Sequence, residues 1–185
     1  MQIRNNSGID FQNHSEFGCG RCAIVVPVCI LVHSIVLHSE SNALLQRREL
    51  EVMQMETWAH GQAVFDVLGR PRQAHDRIRN ICHLGAVTFA WTFQNRGLLV
   101  PDEAPYVCLA APSGAVWTWN SPSKSQYVKG KAVAFAQVVT QVRNIEDTDL
   151  QLVGANAISW MELAQCFAGK PETPPAKNTR YMRRL

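Results

Sequence analysis

Tyr106-Val-Cys-Leu-Ala-Ala-Pro-Ser-Gly-Ala-Val-Trp-Thr-Trp-Asn120 is the stretch that decides the fold class. Two runs rich in β-branched and aromatic residues flank Pro112-Ser-Gly114, a composition that favours a hairpin turn. Trp117 and Trp119 are two apart and so share one face of the second strand. Gln126-Tyr-Val-Lys129 predicts a short third strand ended by Gly130. Upstream of the Pro101 to Pro105 linker the period is helical instead. Leu50, Met53, Trp58, Val64, Phe65 and Leu68 form one stripe, stopped by Gly69-Arg-Pro71. Asp76 is placed to cap a second helix carrying Ile78, Ile81, Leu84, Val87, Trp91 and Phe93, with Gly97 as its left-handed terminator. Downstream, helices are expected from Lys131 to about Asn144 and from Ile158 to Phe167. The expected architecture is α+β, a partial helical bundle followed by a small domain with an antiparallel sheet and two helices. It divides into an unassigned segment (residues 1–46), a helical region (47–100), an α+β region (101–170) and a tail (171–185).

Hydrophobic residues fill 46% of the 185 positions and charged residues 18%, a balance that supports a packed core. The net charge of +3 is small, and much of it sits in Lys177, Arg180, Arg183 and Arg184. No basic face that would track a phosphate backbone is expected, so nucleic acid is not an expected partner. The longest apolar stretch, Ala23 to Leu37, is broken by Pro27, His33 and Ser34. It falls short of the about 20 apolar residues that a membrane span needs. Asp10 and Glu16 precede it and no clean cleavage pattern follows, so it does not read as a secretory signal, and a cytoplasmic chain is expected. Cys82, Cys108 and Cys166 stand alone in apolar periodic segments, the usual setting of buried free thiols. Cys19-Gly-Arg-Cys22 lacks the second pair of a zinc ribbon and the strand-to-helix context of a redox motif.

Met53-Gln-Met-Glu-Thr-Trp-Ala-His-Gly-Gln62 carries the candidate chemistry. Glu56 and His60, at i and i+4, project from one helix face. Two donors at this spacing can meet one divalent ion, as the paired histidines of H-E-x-x-H do. A carboxylate oxygen and an imidazole nitrogen suit Zn²⁺, with Ni²⁺, Mn²⁺ and Fe²⁺ allowed. The same spacing also serves ordinary exposed helix pairs worth roughly a few tenths of a kcal/mol, so spacing alone does not choose. His83 reads as a histidine packed between helices, and His75 as exposed. Trp117 and Trp119 read as core, because no Lys or Arg interleaves them as in a base-stacking platform. Ser113-Gly114 is a turn without the Lys and following helix of a phosphate loop.

Met55-Glu-Thr-Trp-Ala-His-Gly-Gln62 has further motifs in order behind it. These are Asp66-Val-Leu-Gly69, His83-Leu-Gly85, Ser113-Gly-Ala-Val-Trp-Thr-Trp119, Val128-Lys-Gly130, Val139-Thr-Gln-Val-Arg-Asn144 and Ala164-Gln-Cys-Phe-Ala-Gly169. Together they resemble the mycothiol-dependent maleylpyruvate isomerase family, a DinB-like group. The likeness is to an actinobacterial branch described as metal-binding and also linked to a tRNA wybutosine-synthesis (wyosine base formation) domain. It extends from about Arg47 to Gly169 and implies a DinB-like bundle ahead of the α+β domain.

The resemblance implies that Glu56 and His60 are metal ligands, joined by a His from an earlier helix. Residues 1–46 do not match the family's N-terminal helices, as a truncated or frameshifted gene start would produce. His33 and His38 are the nearest candidates for the third ligand, with His14 further away. At Ala63 relatives commonly carry Asp, so a carboxylate that would orient a ligand is missing. Arg143 matches an Arg near the end of the first helix of the family's C-terminal domain. There it would clamp a carboxylate of substrate or thiol, or else serve as a cation at a helix C-terminus. The implied cofactors are a divalent metal, Zn²⁺ by ligand chemistry, and mycothiol held as a thiolate at an open position. That thiolate would add to an electrophilic carbon for isomerisation or transfer. The implied partners are a small-molecule thiol and a small carboxylate substrate. Missing bundle helices would leave apolar surface open, with homodimerisation or poor solubility as the expected consequence. Two other readings accompany this one, a non-catalytic metal-binding remnant and a tRNA-modification accessory.

Overall fold

The computed structural model describes residues 42–180; His14, His33, His38, Cys19 and Cys22 lie outside them. In chain order the elements are helix α1 (Asn42–Val67), a 3₁₀ turn (Asp76–Ile78), α2 (Arg79–Val87) and α3 (Phe89–Gln94). Strands β1 (Tyr106–Ala110), β2 (Val116–Trp119) and β3 (Tyr127–Lys131) follow, then α4 (Ala132–Val139) and a 3₁₀ turn (Ile145–Asp147). Strand β4 (Gln151–Val153) and helix α5 (Ala155–Leu163) complete the described fold. The fold mixes helices with a four-stranded sheet, and none of the described helices is long and apolar enough to cross a membrane.

The sheet is mixed, which corrects the expected antiparallel one. Its order is β2-β1-β3-β4, with β1 parallel to β3 and the other two pairings antiparallel. The hairpin is present as expected, with Val107 opposite Trp119 and Leu109 opposite Trp117. Because it is a hairpin, β2 ends beside the start of β1. The chain then crosses under that end, where Asn120 Nδ2 donates to the Pro105 carbonyl (2.7 Å) and Tyr106 N–H to that of Gln126 (3.0 Å). β3 therefore starts where β1 starts and must run alongside it. β4 carries no strong strand signal and forms as an edge on β3.

Helix boundaries also differ from expectation, each for a local reason. The helix expected from Asp76 to Phe93 is interrupted at Thr88, whose hydroxyl donates back to the Leu84 carbonyl (2.8 Å). Asp76 does not cap it; its carboxylate accepts from the Ser113 N–H (3.0 Å) and ties the hairpin turn to the helix start. α4 stops at Val139 and not near Asn144. Gln141 adopts a left-handed conformation (φ 55°), and Val142 N–H returns to the Gln137 carbonyl (3.0 Å), closing a Schellman-type end. α5 begins earlier than Ile158 because Gly154 (φ 90°) turns the chain where a β-carbon would collide with Gln126 and Ser125. The Gln126 side-chain oxygen then accepts from Asn156 and Ala157 N–H and caps the helix start.

One core runs through both halves of the chain. Val107 and Leu109 of β1, Trp117 of β2 and Val128 of β3 point inward, against Ile81 and Cys82 of α2 and Phe135 and Val139 of α4. Trp160 lies at its centre, edge-on to Phe89 (centroids 5.3 Å) and Phe135 (5.8 Å). α1 joins this core through Met55 and Trp58. Its expected stripe is corrected here, because Leu50, Met53, Val64 and Leu68 are exposed, as is Val87 of α2. The helix presents two faces with apolar residues, and the described fold covers only the one through Met55, Trp58, Gln62 and Asp66.

Candidate functional site

α1 positions both residues of the E-x-x-x-H pair. Glu56 Oε2 and His60 Nε2 are 3.6 Å apart, close to the separation of about 3.4 Å that two donors take on one tetrahedral ion with bonds of about 2.0–2.2 Å. Glu56 lies at the border of the covered face, and the His60 side chain is 70% exposed. Burial raises the Glu56 pKa, His60 opposes the rise, and Glu172 adds to it. A half-buried carboxylate held up in this way is one that a nearby cation would stabilise. The donor types and their separation thus fit two ligands of a divalent ion. Among the described residues no group of three His, Cys, Asp or Glu side chains gathers to hold a metal.

Arg143 sits in a buried ion pair. It follows the end of α4 by several residues and turns back toward α1. There Nη2 donates to both carboxylate oxygens of Asp66, each at 2.9 Å. Both side chains are 9% exposed, and Gln62 Nε2 donates to Asp66 Oδ1 (2.9 Å). This is a buried ion pair between α1 and the segment after α4, not a cation stabilising the last turn of a helix. Its cause is the left-handed Gln141, which ends α4 and redirects the chain. Nη1 of Arg143 is buried and has no hydrogen-bond partner among the described residues.

The segment after α5 packs beside this pair. Gln141 Nε2 donates to the Ala164 and Glu172 carbonyls, and Arg96 Nη2 to the Glu172 carbonyl and Gln165 Oε1. Cys166 is buried between them, its N–H on the Val139 carbonyl (2.9 Å). Burial pushes its thiol pKa up, with the Glu56 charge adding to the rise. Cys82 is also buried and free, whereas Cys108 is half-buried.

His83 is exposed and not packed between helices, which corrects its expected setting. Trp119 Nε1 donates to its Nδ1 (3.1 Å). The two rings line an open groove of ≈ 720 Å³ between α1, α2 and β2, with Leu50, Gln54, Arg79 and Asn80. Glu56, His60 and Arg143 do not line it. Trp117 is buried, in keeping with a core strand.

Sequence reasoning missed Asp66 and Gln62 as a polar centre. Their signal is an i, i+4 polar pair continuing the same face as Met55 and Trp58, where a solvated helix would not bury it. Arg72 was missed as well. It crosses from the loop after α1 to lie over the Trp58 ring (5.1 Å) and donates to the Trp58 carbonyl (2.6 Å). It thereby fixes the turn of α1 that carries His60.

Two uncharacterized proteins from strains of Mycobacterium tuberculosis are each 44% identical to this chain over 117 residues, or 63% of this chain and 46% of theirs. The chain thus spans less than half the length of these curated relatives. No family model matches it. No solved structure matches it either.

Proposed function

We propose that the chain binds a divalent metal ion through Glu56 and His60, as a relative of the mycothiol-dependent maleylpyruvate isomerases that its sequence resembles. In this reading α1, α2 and α3 belong to a DinB-like bundle. The observation that carries it is the 3.6 Å approach of a carboxylate oxygen and an imidazole nitrogen, on a carboxyl whose pKa burial raises. A bound ion would supply the charge that turns a coordinating thiol such as mycothiol into a thiolate. Arg143 would act mainly by holding α1 through Asp66. Its Nη2 is committed to that carboxylate and its Nη1 is buried without a partner among the described residues, contacts that support a role in holding α1.

The non-catalytic reading is favoured by a separate observation. His60 is largely exposed, and the groove beside His83 and Trp119 is lined by none of Glu56, His60 and Arg143. Both readings share the metal and part at the thiol. Elemental analysis of the purified chain beside a Glu56→Ala, His60→Ala variant tests the shared part. A transition metal present in the first and lost in the second is the expected result; none in either refutes both readings. Calorimetric titration of the metal-loaded chain with mycothiol separates them, since a remnant takes up no thiol.

A further inference from the structure

The face of α1 that the described residues leave uncovered has an order of its own. Leu50, Met53, Thr57, His60, Val64 and Val67 are all exposed, and they recur at alternating steps of three and four. That is the a/d pattern of a coiled-coil seam, written on a helix of 26 residues whose other face is already packed. Four of the six are large apolar side chains, 65%, 59%, 58% and 74% exposed for Leu50, Met53, Val64 and Val67. Leaving them in water is unfavourable by about 25 cal/mol for each Å² of apolar surface.

The pattern is also its own complement. It is symmetric about the point between Trp58 and Ala59. Two antiparallel copies related by a two-fold axis there would set Leu50 of one opposite Val67 of the other. Met53 would lie opposite Val64, and Thr57 opposite His60. Apolar positions meet apolar ones at both ends, and polar meets polar at the centre, as an isologous interface requires. The helices of such a pair lie about 8–10 Å apart. The two His60 positions are then separated by about 4.5 Å along the axis, three residues of rise. Glu56 accompanies each His60 one turn away.

We propose that the chain forms an antiparallel homodimer through this face of α1, and that Glu56 and His60 of both copies complete one divalent-metal site on the two-fold axis. The site rests on the reading of Glu56 and His60 as metal ligands. Among the described residues each copy offers two donors, too few for the ion, and no third gathers with them. Pairing supplies four, the coordination number of a closed structural zinc site, which leaves no open position for a thiol and so accords with the non-catalytic reading. The seam spans about 27 Å of helix. It would bury on the order of 1,000 Å² in total, the lower limit for a specific interface, so apolar contact alone gives a weak dimer that the ion strengthens.

The test is sedimentation velocity of the full chain, stripped by chelator, with and without added Zn²⁺, and with bound zinc measured on the sedimented species. The expected result is a monomer–dimer equilibrium tightened at least tenfold by Zn²⁺, at one ion per dimer. Glu56→Ala with His60→Ala should remove the bound zinc and its effect while the weak metal-free dimer persists. Met53→Glu with Val64→Glu, at exposed positions that leave folding intact by circular dichroism, should abolish the dimer and weaken zinc binding. A monomer that binds one zinc per chain through Glu56 and His60 overturns the dimer and leaves the metal reading standing, with residues 1–41 or another partner on this face. A dimer that survives Met53→Glu with Val64→Glu overturns the interface. Absence of bound zinc in every species overturns both the shared site and the metal reading.

Discussion

Replacing Arg143 by Met removes the guanidinium that stabilises Asp66 and leaves the carboxylate where solvent cannot reach it. Both side chains are 9% exposed, so water replaces little of the loss. Nη2 spans both oxygens at 2.9 Å, and among the described residues only the Gln62 amide remains once it is gone. A hydrogen bond to a charged group contributes about 1.5–3 kcal/mol, and breaking a buried pair by deleting one partner costs about 3–5 kcal/mol. The expected loss is therefore about 3–5 kcal/mol, read from the urea midpoint at unchanged m-value. At about 2–4 °C per kcal/mol for a chain of this size, Tm should fall by roughly 6–20 °C. Asp66→Asn with Arg143→Met removes both charges and keeps a Gln62 partner. It should recover enough for a coupling energy of at least about 2 kcal/mol. A loss below about 1 kcal/mol for Arg143→Met, or strictly additive single and double variants, would refute the argument that this pair ties the chain after α4 to α1.

Burial raises the Glu56 pKa, so the metal-free fold loses stability as pH rises from the ordinary carboxylate range through the raised value. Glu56→Gln should therefore melt higher than the native chain at pH 7 in chelator, with the difference vanishing below the ordinary range, and should bind less metal. Gly85→Ala puts a β-carbon 2.8 Å and 2.9 Å from the Val139 methyls and 3.0 Å from Phe135. It should cost about 1–3 kcal/mol in denaturant melts, and Val139→Ala in the same chain should recover part of that. Burial pushes the Cys82 thiol up to about 12 and the Cys166 thiol up as well. Among the described cysteines, site-resolved alkylation at pH 8 should label half-buried Cys108 and reach Cys82 and Cys166 only on unfolding; early labelling of either would refute their burial.

What the sequence determined by itself was local. The hairpin at Pro112 to Gly114, the existence of the helices around Glu56 and Phe135, and the 3.6 Å approach of Glu56 and His60 all follow from residue type and spacing within a few positions. Such features depend on turn chemistry and on a 3.6-residue period, which neighbouring residues carry. Tertiary structure decided the rest. The parallel pairing of β1 with β3 depends on where the chain re-enters the sheet, which no strand pattern records. Which face of α1 is covered could not be read, because two faces carry apolar residues and only packing against the core distinguishes them. Arg143 reads locally as a helix-end cation. It becomes a buried partner of Asp66 because a left-handed Gln141 ends α4 early and swings the chain across 77 residues of sequence to α1. A buried charge is stable only beside its counter-charge, and the fold, through contacts distant in sequence, is what brings the two together.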